Sequence, residues 1–189
     1  MPVWGWFLAA AIVVLTVTAI VVGLAANRRK RTERLKERFG PEYDRALDEA
    51  GEQSAAEKEL AARKRKRDKL DIVPLSPQAR GRYAEGWGEV QTAFVDNPSS
   101  ALGDADRLVT EVMRERGYPI DDFDQRAADI SVDHPTVVEN YRAAHSISHA
   151  QQQGSDVGTE EQRQAFVHYR ALFEKLLETD KDKSQEARA

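Results

Sequence analysis

Hydrophobic and polar positions divide the chain into an apolar N-terminal run, a charged segment and a body with helical periodicity. Residues 3–26 form an uninterrupted run of 24 uncharged residues, most of them Val, Ile and Ala. About 20 apolar helical residues are enough to cross a hydrocarbon core, so the run predicts a transmembrane anchor over residues 1–27. The alternative is a cleaved secretory signal, although such signals carry basic residues before a shorter apolar core.

Four basic residues, Arg28, Arg29, Lys30 and Arg31, directly follow the apolar run. Lys and Arg near a membrane span favour the cytoplasmic side. The pattern therefore predicts a single-pass protein of the plasma membrane, with its N-terminus outside and its C-terminal domain in the cytoplasm. Cleavage of the run would instead give a secreted protein.

Residues 28–75 are predicted to be a basic helical stalk or linker. Residues 28–69 carry 15 Lys and Arg against 10 Asp and Glu, a net charge of +5, with helix breaks expected at Gly40-Pro41 and Gly51. Ser54 and Glu57 have capping-box spacing, and the helix after them is polar on nearly every face, which is typical of a solvated stalk. The run 63–67, Arg-Lys-Arg-Lys-Arg, is open to two interpretations: a solvated helix face or contact with anionic lipid. Nucleic-acid binding is disfavoured, because no aromatic residues interleave with it and residues 70–189 carry a net charge of −9.

Residues 76–178 are predicted to be a compact all-α bundle of about five helices. Apolar residues recur at spacings of three and four, as in Tyr83, Trp87, Val90 and Phe94, and no strand-type alternation occurs. Ser76, Asp122 and Thr159 are predicted helix N-terminal residues, and Gly117 is a predicted C-terminal cap. The prolines at 74 and 77 mark the boundary before the bundle, and residues 179–189 are a charged tail that we expect to be disordered.

Several segments of the body are similar to an uncharacterised family of actinobacterial proteins. The similarity is carried by residues 116–119, 122–129, 131–135, 141–145 and 166–173. This resemblance implies an N-terminal span in a protein described as hypothetical, membrane or secreted. It implies neither an activity nor site residues.

The sequence contains no recognisable catalytic signature and no cysteine, so thiol chemistry and zinc-thiolate sites are excluded. Its most polar constellation in the body lies around residues 121–134. We take Arg126, Asp129, His134 and His145 as candidate ligand-binding residues, for a cationic group or for acid–base chemistry. The alternative is structural, because Asp122 and Asp133 also fit helix caps. His145 and His149 have the i, i+4 spacing of two metal ligands, but no third ligand is evident, so no metal or cofactor is predicted.

These patterns together favour a helical interaction or scaffold module without catalysis, held at the lipid bilayer by one span. Its expected partners are another protein or a second copy of the chain, with anionic lipid contact by the stalk. A membrane-tethered enzyme or ligand sensor with a site near Arg126, His134 and His145 is the alternative.

Overall fold

The computed structural model describes residues 4–178, and these residues form eight α-helices without a β-strand. The predicted disordered tail, residues 179–189, lies outside the described residues. The helices are α1 (Trp4–Phe39), α2 (Pro41–Ala50), α3 (Gln53–Arg67), α4 (Pro77–Asp96), α5 (Pro98–Arg116), α6 (Phe123–Asp133), α7 (Val138–Gln152) and α8 (Thr159–Leu177). The all-α prediction is therefore confirmed for this part of the chain.

Helix α1 corrects the predicted membrane architecture. It continues from the apolar run into the basic flank without a break, so that residues 28–38 place seven Lys and Arg and two Glu in the same helix. Within residues 4–178, no helix has the combination of length and apolar content that crossing a membrane requires. The predicted single-pass transmembrane helix is therefore wrong. The location and orientation deduced from it stay predictions.

The charged segment is a packed helical unit, which corrects the prediction of a solvated stalk. The second half of α1 packs with α2 and α3 around a small core, to which α6 contributes one residue. Phe39 and Leu60 are fully buried there. Sequence pattern missed this core because α3 buries only the narrow Ala56 and Leu60 edge, whereas most of its surface is charged. The cluster consists of Leu35, Phe39, Tyr43, Ala46, Ala56, Leu60 and Val132.

The body is a bundle in which α4, α5, α7 and α8 pack on one another and α6 lies between this bundle and α3. The predicted aromatic stripe of α4 faces the aromatic face of α8. The Trp87 ring stacks on Phe166 and Phe173, with centroids 5.1 and 4.6 Å apart, and the Phe94 ring lies 4.5 Å from Phe166. Since Trp87, Phe166 and Phe173 are all buried, these rings cover each other.

Helix ends follow the predicted capping residues at several positions. The Ser76 hydroxyl accepts from the Ala79 N–H at 3.1 Å, and the Asp122 carboxylate accepts from the Gln125 N–H at 2.8 Å. Gly117 ends α5 with φ +94°, and a Cβ there would lie 2.5 Å from the Asp71 carbonyl oxygen. This position therefore requires glycine both for its left-handed backbone and for the approach of the interhelical segment.

The two predicted capping boxes differ from the prediction. Helix α8 is capped one residue earlier than expected, because the Glu161 carboxylate accepts from the Gly158 N–H at 3.1 Å. Ser54 does not cap α3; its hydroxyl donates to the Glu52 carboxylate at 2.6 Å. Glu57 is instead part of a tertiary contact, described below.

Candidate anion-binding face

Asp129, one of the predicted ligand-binding residues, is held by α3. Its side chain is fully buried. The Lys66 ammonium donates to one carboxylate oxygen at 2.9 Å, and the Gln125 amide donates to the other at 3.3 Å. The charge of Asp129 is therefore neutralised inside the protein, and the residue connects α6 to α3.

Arg126 and His145 lie together against the ring of Phe123. The His145 ring stacks on it with centroids 3.5 Å apart, and the Arg126 guanidinium lies 5.9 Å from its centroid. Burial lowers the pKa of His145, an effect that the positive charge of Arg126 reinforces and that Asp106 opposes. His145 is therefore neutral near pH 7 and packs as an aromatic ring.

His134, the fourth predicted site residue, follows the last turn of α6. Its backbone N–H donates to the Ile130 carbonyl at 2.8 Å, and it is the C-terminal cap of that helix. The structure thus gathers Arg126 and His145 at one ring, while it turns Asp129 toward α3. An enzyme or sensor function at these residues stays a prediction.

The i, i+4 histidine pair on α7 has its rings 5.8 Å apart, and the exposed His149 lies 3.0 Å from the Gln153 amide nitrogen. Among residues 4–178, no three carboxylate or imidazole side chains are grouped at metal-ligand spacing.

The basic run of α3 contacts the acidic face of the body. Lys66 binds Asp129, as described, and the Arg67 Nε donates to Asp133 at 2.6 Å. The Tyr118 hydroxyl donates to the same Asp133 oxygen at 2.5 Å. Burial raises the pKa of Tyr118, and the Asp133 carboxylate raises it further. These contacts give the basic run a structural role, namely holding α3 on α6.

Glu42 is the centre of a second ionic cluster, which joins α2, α3 and α7. It is fully buried, and its carboxylate accepts from Arg142 at 2.6 and 2.8 Å and from Arg63 at 2.8 Å. Burial alone would raise the pKa of Glu42, but the two guanidinium groups outweigh it, so that the pKa lies below its ordinary value. The carboxylate is therefore charged, and it is one of the anchors between α1–α3 and the body.

The cations of α1, in contrast, lie at the surface, where the Lys36 ammonium is 5.2 Å from the centroid of the Tyr43 ring. All seven Lys and Arg of its basic half are exposed, and within the described residues none of them lies in a salt bridge. The same stretch holds two glutamates, so its net charge is +5. An exposed excess of one charge sign attracts ions of the opposite sign. The seven residues, which we call the α1 basic face, are Arg28, Arg29, Lys30, Arg31, Arg34, Lys36 and Arg38.

Two open grooves lie along this face, between α1 and α3. The larger, of about 1090 Å³, is bordered by Arg28, Arg29 and Lys36 and includes Glu57 in its lining. Burial would raise the pKa of Glu57, but hydrogen bonds from Thr32, Gln53 and Tyr43 lower it, and the charge of Arg31 lowers it further. The larger groove thus has an ordered acidic group in its lining.

The smaller groove, of about 610 Å³, is bordered by Arg31, Arg34 and Arg38 of α1 and by Lys64 of α3. Glu37 is the acidic residue in its lining, and Leu35 supplies an apolar part. We refer to it as the arginine groove.

Sequence reasoning found the start of the basic face but missed the residues that complete the site. The arginine groove is bordered by Arg34 and Arg38, which follow acidic residues of α1, and by Lys64, which is far from Arg28 in sequence. Arg34 and Arg38 could have been found from their i+3 and i+7 spacing to Arg31, which places them on one helix face. Lys64 could not, because its position depends on how α3 packs on α1.

Asp106 is a second residue that sequence reasoning missed. Burial raises the pKa of Tyr141 to about 12, and the Asp106 carboxylate contributes to that rise. Burial raises the pKa of Tyr169 as well, and the Asp106 carboxylate raises it further. The Asp106 carboxylate therefore acts electrostatically on two fully buried tyrosines of the body, from a position where the helical pattern of α5 gave no signal.

Comparison with protein-family models, curated proteins and solved structures finds no significant match to the chain. The resemblance to actinobacterial proteins stays a prediction.

Proposed function

We propose that this protein is a non-catalytic helical interaction module whose α1 basic face binds an anionic partner. The observation that carries the proposal is the contrast between two sets of cations. Carboxylates of the fold form salt bridges with Arg63, Lys66 and Arg67. The seven cations of α1 are exposed and lie in no salt bridge within the described residues.

The ionic anchors support this assignment because they hold α2 and α3 to the body, and the second half of α1 packs on these two helices. Arg142 reaches Glu42 from α7, and Lys66 and Arg67 reach α6 from α3. A face held in this way keeps its arginines at defined spacings, which reduces the ordering cost of binding. The body therefore acts as a scaffold that presents α1–α3.

The proposal is tested by retention of the full chain on heparin, a sulfated polyanion. The test variant replaces Arg28, Arg29, Arg34 and Arg38 by Gln. The control variant replaces four exposed arginines of the body by Gln, and each of these is already paired with a neighbouring carboxylate. They are Arg82, Arg107, Arg163 and Arg170. Both variants remove four positive charges, so they differ in where the charge is lost.

We expect the wild type and the control to elute at similar salt concentrations and the test variant to elute much earlier. Circular dichroism of both variants checks that the helices are retained. Equal elution of the two variants, or no retention of the wild type, would refute a binding role for the α1 basic face.

A further inference from the structure

We infer that the arginine groove is a binding site for clustered phosphate groups; this inference rests on the proposed function and assigns the ligand chemistry of the same face. The groove is formed by two helices that the fold holds together. Arg31, Arg34 and Arg38 are spaced i, i+3 and i+7, so they lie along one side of α1. Lys64 approaches from α3 on the opposite side.

The charge of the groove calls for a multivalent anion. Four cations and Glu37 line it, which leaves a net charge of +3. The Lys64 ammonium already forms a salt bridge with Asp68, which lies one helical turn later in the chain. The three arginines make no salt bridge in the described part of the chain, although Asp68 acts on Arg38, and Glu57 on Arg31, over a longer distance. A ligand with one negative charge would leave most of this charge uncompensated.

Arginine geometry favours phosphate over other anions. Each guanidinium presents several N–H donors in a planar fork, which fits two oxygens of a phosphate group. Three forks on one helix face offer more donors than one carboxylate can accept. The volume of about 610 Å³ is within the range of about 300–1,000 Å³ that small-ligand sites occupy. Several phosphates on one small scaffold satisfy both the charge and the donor count.

Two sources could supply such phosphates: a soluble polyphosphorylated molecule or the headgroups of an anionic lipid. The groove chemistry is the same for both. Apolar side chains of α1 precede the groove and are exposed, with Ile20 at 60%, Val22 at 61% and Leu24 at 59%. Phosphates carried on lipid would therefore meet apolar side chains beside the groove, which soluble phosphates would not.

The experiment measures binding of the full chain to three probes at about 0.15 M salt. The probes are inositol hexakisphosphate, phosphatidylcholine vesicles that contain phosphatidic acid, and polyglutamate as a polyanion without phosphate. The test variant is R34Q/R38Q and the control is R28Q/R29Q, which removes two arginines from the same helix but outside the arginine groove. Arg28 and Arg29 line the larger groove and not the arginine groove, so the control removes the same charge from the same helix but takes no guanidinium from the proposed site.

We expect at least one phosphate probe to bind more tightly than polyglutamate. R34Q/R38Q should weaken that binding roughly 25-fold, about fivefold for each arginine. R28Q/R29Q removes the same charge from the basic face but no groove guanidinium, so it should weaken binding clearly less than R34Q/R38Q. Tighter binding of vesicles identifies lipid headgroups as the source, and tighter binding of inositol hexakisphosphate identifies soluble phosphates.

Other outcomes separate the inference from the proposed function. Polyglutamate binding as tight as that of both phosphate probes would overturn the phosphate assignment and leave an anion-binding face. Equal losses in the two variants would overturn the assignment to the arginine groove. The proposal of an anion-binding face would still stand. Absence of binding to all three probes would overturn the inference and the proposed function together.

Discussion

Replacing Glu42 by Ala tests whether the ionic cluster anchors α1–α3 to the body. The substitution leaves Arg63 and Arg142 without their shared carboxylate, and these side chains are 13% and 14% exposed. Removing one partner of a buried ion pair costs about 3–5 kcal/mol. Arg63 keeps Glu59 and Arg142 keeps Glu139, so we expect a loss at the low end, about 3 kcal/mol in the free energy of unfolding.

Urea denaturation of the full chain, followed by circular dichroism, measures this loss. Glu49→Ala is the matched control, because Glu49 lies on the same helix and pairs with Arg45 at the surface, where its side chain is 49% exposed. The control should lose less than about 1 kcal/mol. If Glu42→Ala costs no more than Glu49→Ala, the cluster is not a buried anchor in solution and the argument fails.

Comparison of the wild type with Glu42→Ala at different pH values gives a second test of this cluster. Because the pKa of Glu42 in the folded protein lies below its ordinary value of 4.5, the charged carboxylate stabilises the fold above that pH. This contribution is lost as the pH falls below 4.5 and through the folded-state pKa. The difference in unfolding free energy between the wild type and Glu42→Ala should therefore shrink with decreasing pH in this window, and a constant difference would contradict the assignment.

Three further predictions concern the packing of the body, and each is measured by urea denaturation. Gly117→Ala should lose about 2 kcal/mol or more, because it adds a Cβ 2.5 Å from the Asp71 oxygen at φ +94°; Gly88→Ala, in open space on α4, should gain up to about 1 kcal/mol. Tyr118→Phe removes a hydrogen bond to Asp133 and should lose about 1.5–3 kcal/mol, more than Tyr83→Phe, whose hydroxyl donates to the exposed Glu115. Trp87→Ala empties the stack with Phe166 and Phe173 and should lose about 3–5 kcal/mol, whereas Val95→Ala, at an 82% exposed residue, should change stability by less than about 0.5 kcal/mol. A smaller loss in any test variant than in its control would contradict the described packing.

The sequence by itself determined the helices of the body and most of their ends. Apolar spacing of three and four reports a helix face wherever that face is wide, as in α4 and α8. Capping is also local: Ser76 and Asp122 bind amides three residues ahead, and Gly117 adopts a backbone that glycine alone tolerates well. These interactions depend on neighbours along the chain, so the pattern reveals them.

Only the tertiary structure decided how the charged segment is used. A lysine or glutamate in an exposed helix and one in a buried ion pair look the same in sequence, because the partner lies elsewhere in the chain. Glu42 is 100 residues from Arg142, and Lys66 is 63 residues from Asp129. The packing of α3 against α1, α2 and α6 turned an apparent stalk into an anchored unit. That packing also decided which cations form ion pairs within the fold and which, along α1, stay exposed.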